Sequence, residues 1–212
     1  MNKQEEMFDI YDEQMNWIGI APRSEVHAKG LWHCTFQCWI VSYEQTEPDL
    51  LLQLRSPDKD LFPNLLDISS AGHLAAGETV RDGVRELEEE LGLQVDFEEL
   101  VSCGTFIEED FISEQLIDRE ICHVFVHRCD KSLESYILQP EEVSGIFAVK
   151  VSALEQLVHG QINVIEANGF QLSNEGQLIV NRKQISLTDL VPHPEAYFEL
   201  LFRTLREQSW TK

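Results

Sequence analysis

Hydrophobic and polar residues alternate along the run WHCTFQCWIV at residues 32–41, which places every second side chain on one face of an extended chain. Cys34, Phe36, Cys38 and Ile40 share one face. The other face carries the intervening residues His33, Thr35, Gln37 and Trp39. This pattern predicts a central β-strand.

Short runs of β-branched and aromatic residues, separated by polar turns, predict further strands. Two short strands are predicted within residues 7–23, and further strands at 50–56, 94–110, 119–130 and 146–151. The strand at 50–56 is predicted to form a hairpin with the central strand. Residues 161–191, with the turn NEGQ, predict only a loop or a small hairpin.

Helical spacing predicts a C-terminal helix over residues 194–207, beginning near Pro194. Its apolar stripe consists of Tyr197, Leu200, Leu201 and Leu205. A second helix is predicted after Ser152, with Glu155 completing a capping box. Residues 23–30 predict a short helical turn or a loop. Strands on both sides of a central helix, with another helix at the end, predict an α/β fold with a mixed sheet between helices.

The central helix is predicted between Thr79, a suitable N-cap, and Gly92, a suitable left-handed C-cap. At 100° per residue, Glu86, Glu89 and Glu90 lie within one arc. A separate arc carries the aliphatic residues Val80, Val84, Leu87 and Leu91. Three neighbouring carboxylates repel one another, and a bound divalent cation would compensate them. A solvated acidic face is the alternative interpretation.

The loop before this helix contains two glycines, which allow the backbone to approach a ligand closely, and a further carboxylate. Loop and helix together resemble the Nudix box, G-x5-E-x7-R-E-U-x-E-E-x-G-U, in which U is aliphatic. The matching positions are Gly72, Glu78, Arg85, Glu86, Leu87, Glu89, Glu90, Gly92 and Leu93. One departure is that six residues instead of seven separate Glu78 from Arg85. Gly83, inside the predicted helix, is expected to mark the local adjustment.

The resemblance implies the Nudix α/β/α sandwich with a mixed β-sheet, here with an added C-terminal helix. We expect a single domain over residues 1–212, with its core at about residues 5–155 and a C-terminal extension at 156–212.

The resemblance also implies cleavage of the phosphoanhydride in a nucleoside diphosphate, or another small diphosphate, that carries a further group. The implied cofactor is Mg²⁺ or Mn²⁺, which can polarise a phosphoryl group and lower the pKa of bound water. In this resemblance Glu86, Glu89 and Glu90 bind the metal, and Arg85 orients a carboxylate. Either Glu89 or Glu90 is the general base.

Residues outside the helix are expected to complete this site. Nudix enzymes often add a carboxylate from a later loop, and Glu142 is the best candidate for that metal ligand. Gly72 and Glu78 shape the loop beside the substrate. Arg55 and the nearby Lys59 lie on the approach to the box, where they can meet phosphate oxygens or simply serve solubility.

A second resemblance is to the type I isopentenyl-diphosphate isomerases, which share the Nudix fold. Their metal site of three histidines and two carboxylates is matched by His27, His33, His73, Asp118 and Glu120. We expect His33, His73 and Glu120 to meet in space. Ala71 occupies the position of the catalytic cysteine, so one acid–base group of the isomerase reaction is missing.

The sequence is therefore compatible with three functions: a diphosphohydrolase, an isomerase-like enzyme, and a sensor that binds a nucleotide or diphosphate without turnover. The central helix favours the diphosphohydrolase. The intact metal-binding helix argues against the sensor. Four remaining histidines have no ligand spacing and are expected to have ordinary structural roles. They are His123, His127, His159 and His193.

The chain has 16 Lys and Arg against 38 Asp and Glu, a formal net charge of −22. This charge argues against extended nucleic acid and anionic membrane as partners, and leaves a small phosphorylated substrate neutralised by metal ions. We see no apolar run long enough to span a membrane and no signal peptide in MNKQEEMFDI. Five cysteines without a C-x-x-C pair predict reduced thiols and a cytoplasmic protein. Substrate identity and oligomeric state stay open.

Overall fold

A computed structural model of the chain describes residues 5–113, 116–173 and 175–208. In chain order its elements are β1 (Met7–Tyr11), β2 (Trp17–Pro22), α1 (Arg23–Lys29), β3 (His33–Ser42), β4 (Asp49–Arg55), β5 (Leu66–Asp67), β6 (Ser70–His73), α2 (Arg85–Leu91), β7 (Val101–Ser113), β8 (Leu116–Arg128), β9 (Val143–Lys150), α3 (Val151–Val158), β10 (Ile165–Leu172), β11 (Leu178–Ile185) and α4 (Glu195–Glu207).

Nine of the described strands form one mixed sheet in the order β11-β10-β9-β4-β3-β8-β7, with β5 beside β4 and β6 beside β3. The β3–β8 pair is parallel and runs from His33 opposite Glu120 to Val41 opposite Arg128. The antiparallel β3–β6 pair sets Thr35 opposite His73. These two registers bring residues from three distant parts of the chain to one end of β3.

The two faces of β3 are buried in different cores, as the alternation predicts. Phe36 and Cys38 pack with Leu87 of α2 on one side of the sheet. Trp39 packs with Tyr197 of α4 on the other side. A sheet with α2 on one face and α3 and α4 on the other confirms the predicted α/β/α sandwich.

The central helix begins later than predicted. The α-helix covers Arg85–Leu91 and is preceded by a single 3₁₀ turn over Asp82–Val84. The prediction that Thr79 is the N-cap is wrong, because the 3₁₀ turn follows Arg81 and the α-helix follows Val84. Thr79 lies ahead of both, and its backbone N–H donates to the Asp82 carboxylate at 2.8 Å. The predicted C-cap is confirmed, since Gly92 has φ 62° and its N–H bonds to the Glu88 carbonyl.

Gly83 is required by close packing of this 3₁₀ turn on β3. A Cβ at this position would lie 2.6 Å from Cβ of Phe36 and 2.9 Å from Cδ2 of Leu74. Both neighbours belong to the buried core. The glycine therefore allows the start of the helix to pack directly against the central strand.

The second half of the chain contains more regular structure than the sequence indicated. Residues 161–191 include the antiparallel strands β10 and β11, with Ile165 opposite Ile185 and Leu172 opposite Leu178. The predicted capping box at Ser152 is wrong, because α3 begins at Val151 and the Ser152 hydroxyl donates to Glu47 instead.

The predicted hairpin between β3 and β4 is confirmed only next to its turn, where Val41 pairs with Leu50 and Ser42 with Asp49. Beyond that point β6 and β5 pair with the two strands. All five cysteines are free thiols, as predicted. None of the helices in the described ranges is long and apolar enough to cross a membrane.

Candidate active site

Gly72 lies on β6 directly against the carboxylate of Glu86. A Cβ at position 72 would lie only 2.2 Å from Cδ of Glu86. The adjacent backbone N–H of Ala71 donates to Oε2 of Glu90 at 3.1 Å. The first glycine of the box therefore lets β6 pass close to two helix carboxylates, which fixes their positions.

Arg85 ties the loop to the helix. Its Nε and Nη2 each donate to one carboxylate oxygen of Glu78 at 2.9 Å. Its Nη1 lies 2.5 Å from Oε1 of Glu86 and 3.1 Å from Oε2 of Glu89, and its Nη2 also donates to the His73 carbonyl. The shorter spacing before Arg85 thus still allows Glu78 to form a two-bond contact with the guanidinium.

The three helix carboxylates differ in burial. Glu86 and Glu90 are buried, 9% and 4% exposed, whereas the Glu89 side chain is 58% exposed. Burial raises the pKa of Glu86 to about 7 and that of Glu90 to about 8, with the neighbouring Glu86 charge raising the latter further. Two adjacent buried carboxylates with raised pKa values form an oxygen donor set that suits a hard cation such as Mg²⁺.

A second group of possible ligands lies at the end of β3. His27, His33, His73 and Asp118 each offer one ligand atom within 4.8 Å of the others. Nε2 of His27 and Nε2 of His33 are both 3.6 Å from Oδ1 of Asp118. Nε2 of His73 is 3.6 Å from Oε1 of Glu120. The expected convergence of His33, His73 and Glu120 is therefore confirmed.

Several buried atoms of this histidine cluster lack hydrogen-bond partners within the described part of the chain. They are Nε2 of His27, His33 and His73 and Oδ1 of Asp118. Buried polar atoms are rarely left without a partner. Four such atoms that converge on one point, with nitrogen and carboxylate chemistry, fit a divalent cation.

Hydrogen bonds on the far side of the rings distinguish two of these histidines. Nδ1 of His33 is 3.1 Å from the Leu31 carbonyl, which can only accept, so Nε2 of His33 keeps its lone pair. Nδ1 of His73 is 3.0 Å from Nη1 of Arg23, which can only donate, so the proton of neutral His73 lies on Nε2. A cation on Nε2 of His73 thus requires Arg23 to leave Nδ1.

Burial also sets the charge of the histidine cluster. It lowers the pKa of His27 and of His33 to about 4, and it holds that of His73 well below its ordinary value with the help of the neighbouring positive charges. It raises the pKa of Asp118 to about 6 and that of Glu120 to about 8. All three rings are therefore neutral near pH 7, as metal-binding imidazoles must be.

The predicted phosphate-binding residues Arg55 and Lys59 are each paired with a carboxylate. Arg55 donates to Oδ2 of Asp67 at 2.7 Å and to the Leu61 carbonyl through Nε and Nη2. Lys59 forms an ion pair with Glu142, the expected additional metal ligand. Arg55, Lys59 and Glu142 therefore lie together, with Glu142 engaged by a lysine.

Sequence reasoning missed a buried group beside Arg55. His193, from the segment before α4, contacts Asp67 of β5 through Nε2 at 3.1 Å and Glu108 of β7 through Nδ1 at 3.1 Å. No spacing in the sequence relates these three residues, which are separated by more than 40 positions. Only the pairing of strands and the return of the C-terminal segment bring them together.

These groups surround one cleft with a volume of about 1480 Å³. Most of the predicted site residues line it: His27, Arg55, Gly72, His73, Arg85, Glu86, Glu89, Glu90, Asp118, Glu120 and Glu142. His33 and Glu78 do not line the cleft, but each contacts a lining residue, Asp118 and Arg85 respectively. Among the lining residues in the described ranges there is no cysteine. The cleft therefore combines two possible metal-binding groups with the basic side chains of Arg23, Arg55 and Lys59.

Three proteins of known sequence are similar to this chain. An uncharacterized Nudix hydrolase of Clostridium acetobutylicum is 41% identical over 204 residues, which cover 96% of this chain and 98% of that protein. Nudix hydrolase 3 of Arabidopsis thaliana is 39% identical over 147 residues, 67% of this chain but only 19% of that protein. Isopentenyl-diphosphate Delta-isomerase 2 of Photorhabdus laumondii is 30% identical over 161 residues, 76% of this chain and 86% of that enzyme.

A solved structure shares the fold. The crystal structure of DR0079 from Deinococcus radiodurans has a TM-score of 0.55 at 21% identity and covers 73% of this chain and 90% of its own. The family model of the NUDIX domain matches residues 33–167, which include the box and the strands around it. With this match and a relative at 41% identity over almost the whole length, the chain belongs to the Nudix family.

Proposed function

We propose that this protein is a Mg²⁺- or Mn²⁺-dependent diphosphohydrolase that cleaves the phosphoanhydride of a small nucleoside-linked or otherwise substituted diphosphate. The observation that carries this proposal is the pair of buried carboxylates, Glu86 and Glu90, held against β6 at the cleft. Arg85 pairs with Glu86, but a second buried carboxylate beside it is costly to ionise unless a further cation is bound. The pair therefore favours a bound metal ion.

The residues divide into three roles. Glu86 and Glu90 would hold the cation, which supplies a polarised phosphoryl group and an acidified water when bound. Glu89, exposed on the same helix and oriented by Arg85, is the proposed general base that accepts a proton from the attacking water. Arg55 and Lys59, which also line the cleft, would bind the phosphate oxygens of the substrate.

The test is hydrolysis with Mg²⁺ or Mn²⁺ across nucleoside di- and triphosphates, nucleotide sugars, dinucleotide polyphosphates and prenyl diphosphates. Glu89→Gln and Glu90→Gln are each expected to lower kcat by about 100-fold or more. Glu88→Gln is the matched control, because Glu88 is exposed, accepts a hydrogen bond from the Gln94 side chain and does not line the cleft. Near-normal turnover in both cleft variants would refute the assignment. Absence of turnover together with tight nucleotide binding would instead support the sensor alternative.

An isomerase-like enzyme is the second candidate, favoured by the histidine cluster with Asp118 and Glu120. Ala71 opposes it, because no thiol lines the described part of the cleft to serve as the second acid–base group. Conversion of isopentenyl diphosphate into dimethylallyl diphosphate by the pure protein would reverse the order of these two proposals.

A further inference from the structure

The C-terminal segment enters the cleft beside β5. The Val191 N–H donates to the Leu66 carbonyl at 2.8 Å, and Leu190 forms an isolated parallel bridge with Leu66. His193 follows two residues later and faces Asp67, the next residue of β5. This segment lies outside residues 33–167, the part matched by the family model.

The His193 ring bridges two carboxylates. Nε2 contacts Oδ1 of Asp67 at 3.1 Å, and Nδ1 contacts the two oxygens of Glu108 at 3.1 and 3.2 Å. The ring stacks on Tyr197 with centroids 4.5 Å apart. Because both nitrogens face acceptors, both carry protons and the ring is a buried imidazolium. Burial alone would lower its pKa, but the two carboxylates raise the pKa of His193 to about 10.

Asp67 connects this imidazolium to Arg55. One oxygen of Asp67 faces His193, and the other accepts a bond from Nη1 of Arg55 at 2.7 Å. A guanidinium has five N–H groups, of which Arg55 uses one for Asp67 and two for the Leu61 carbonyl. With respect to the described residues, two N–H groups of Arg55 are therefore left for an anion in the cleft.

We propose that His193 is a positioning residue that, through Asp67, holds the Arg55 guanidinium in the orientation that binds the diphosphate of the substrate. This inference rests on the proposed function. While His193 engages Oδ1, Asp67 can offer only Oδ2 to Arg55. Oδ1 of Asp67 also accepts the Ile68 N–H at 2.8 Å. Without the ring, Oδ1 keeps that bond and regains room for a second one, so Asp67 can form a two-bond contact that would draw Arg55 out of the cleft.

The positive charge of His193 also favours binding of the diphosphate. The His193 imidazolium faces the carboxylates of Asp67 and Glu108, and Arg55 pairs with Asp67 from its other side. Loss of the imidazolium leaves one uncompensated carboxylate in a buried place, and this charge repels an incoming diphosphate. The inference therefore assigns a role in phosphate binding to the C-terminal extension, whose contribution the sequence left open.

The experiment measures binding of inorganic diphosphate with Mg²⁺ to the full-length protein by isothermal titration calorimetry. His193→Asn is expected to weaken binding about 10- to 100-fold, the range for loss of an oriented charge-assisted hydrogen bond. Arg55→Met is expected to weaken it at least as much. The double variant is expected to lose less binding free energy than the sum of the two single losses, because most of the effect of His193 passes through Arg55.

The matched control is His159→Asn. His159 also pairs with a carboxylate, Glu199 at 2.7 Å, but between α3 and α4 and away from the cleft. Unfolding temperatures of all variants separate a loss of stability from a loss of binding. If His193→Asn does not fold, His193→Gln keeps a donor without the charge and is measured in the same way.

Equal binding by His193→Asn and His159→Asn, additive losses in the double variant, or no binding of diphosphate by the wild type would each overturn the inference. Its failure is distinct from failure of the proposed hydrolysis. Turnover that depends on Glu89 but not on His193 would support the proposed hydrolase and refute the positioning role of His193. Diphosphate binding that depends on His193, without turnover of any substrate, would support the positioning role and refute the proposed hydrolase.

Discussion

Replacement of Glu90 by glutamine is expected to stabilise the metal-free protein while it removes activity. Glu90 is 4% exposed, and its pKa is raised from 4.5 to about 8 by burial and by the neighbouring Glu86. Between these two pH values the folded protein holds a proton that the unfolded chain has released. Stability of the wild type therefore falls as the pH rises from about 4.5 to 8, and stays low above that.

The size of this loss follows from the shift. The rise in the pKa of Glu90 from 4.5 to about 8 lowers the unfolding free energy by at most about 5 kcal/mol above pH 8. Glu86 competes for the same proton and the site relaxes, so we expect about 1–3 kcal/mol in practice. Glutamine keeps an oxygen that can accept the Ala71 N–H and carries no charge. For a chain of this length the gain corresponds to a rise of roughly 2–12 °C in Tm.

The assay is thermal unfolding in EDTA from pH 4.5 to 9, followed by the same scans with excess Mg²⁺. In EDTA the Tm of Glu90→Gln should equal that of the wild type at pH 4.5 and exceed it increasingly up to pH 8. Added Mg²⁺ should raise the Tm of the wild type but not that of the variant. Glu89→Gln should show no gain in EDTA, because Glu89 is 58% exposed. A lower Tm for Glu90→Gln at pH 8 in EDTA, or an undiminished response to Mg²⁺, would refute the reasoning.

Three further predictions concern neighbouring parts of the molecule. Isopentenyl diphosphate with metal should yield no dimethylallyl diphosphate by NMR, because Ala71 replaces the required thiol. Gly83→Ala should lower the free energy of unfolding by up to about 2 kcal/mol in urea titrations. A Cβ at this position would lie 2.6 Å from Cβ of Phe36, and such overpacking costs about 1–3 kcal/mol, against a gain of roughly 1 kcal/mol in helix propensity; equal or greater stability would contradict the packing described. Asp118→Asn should weaken Mn²⁺ binding at the histidine cluster at least tenfold in electron paramagnetic resonance titrations, and an unchanged titration would exclude a cation there.

Local sequence determined the elements that depend on side-chain period and backbone conformation. Alternation along 32–41 is enough to define a strand with two buried faces, because side chains of an extended chain point to opposite sides whatever it packs against. The acidic arc of the central helix and its end at Gly92 follow equally from 3.6 residues per turn and from the left-handed conformation that glycine accepts. These features rest on neighbours within about one turn.

Tertiary structure decided what depends on register and burial. The histidine cluster exists because β8 pairs in parallel with β3 so that Glu120 lies opposite His33, and no local pattern encodes that register. Glu89 and Glu90 are adjacent glutamates in sequence, yet only packing against β6 buries Glu90 and leaves Glu89 in the cleft. His193 had no recognisable spacing, because its partners come from β5 and β7 and meet it only where the C-terminal segment returns to the sheet. Long-range strand pairing thus sets the charge and the ligands of the site, while the sequence alone identifies the helix around which it is built.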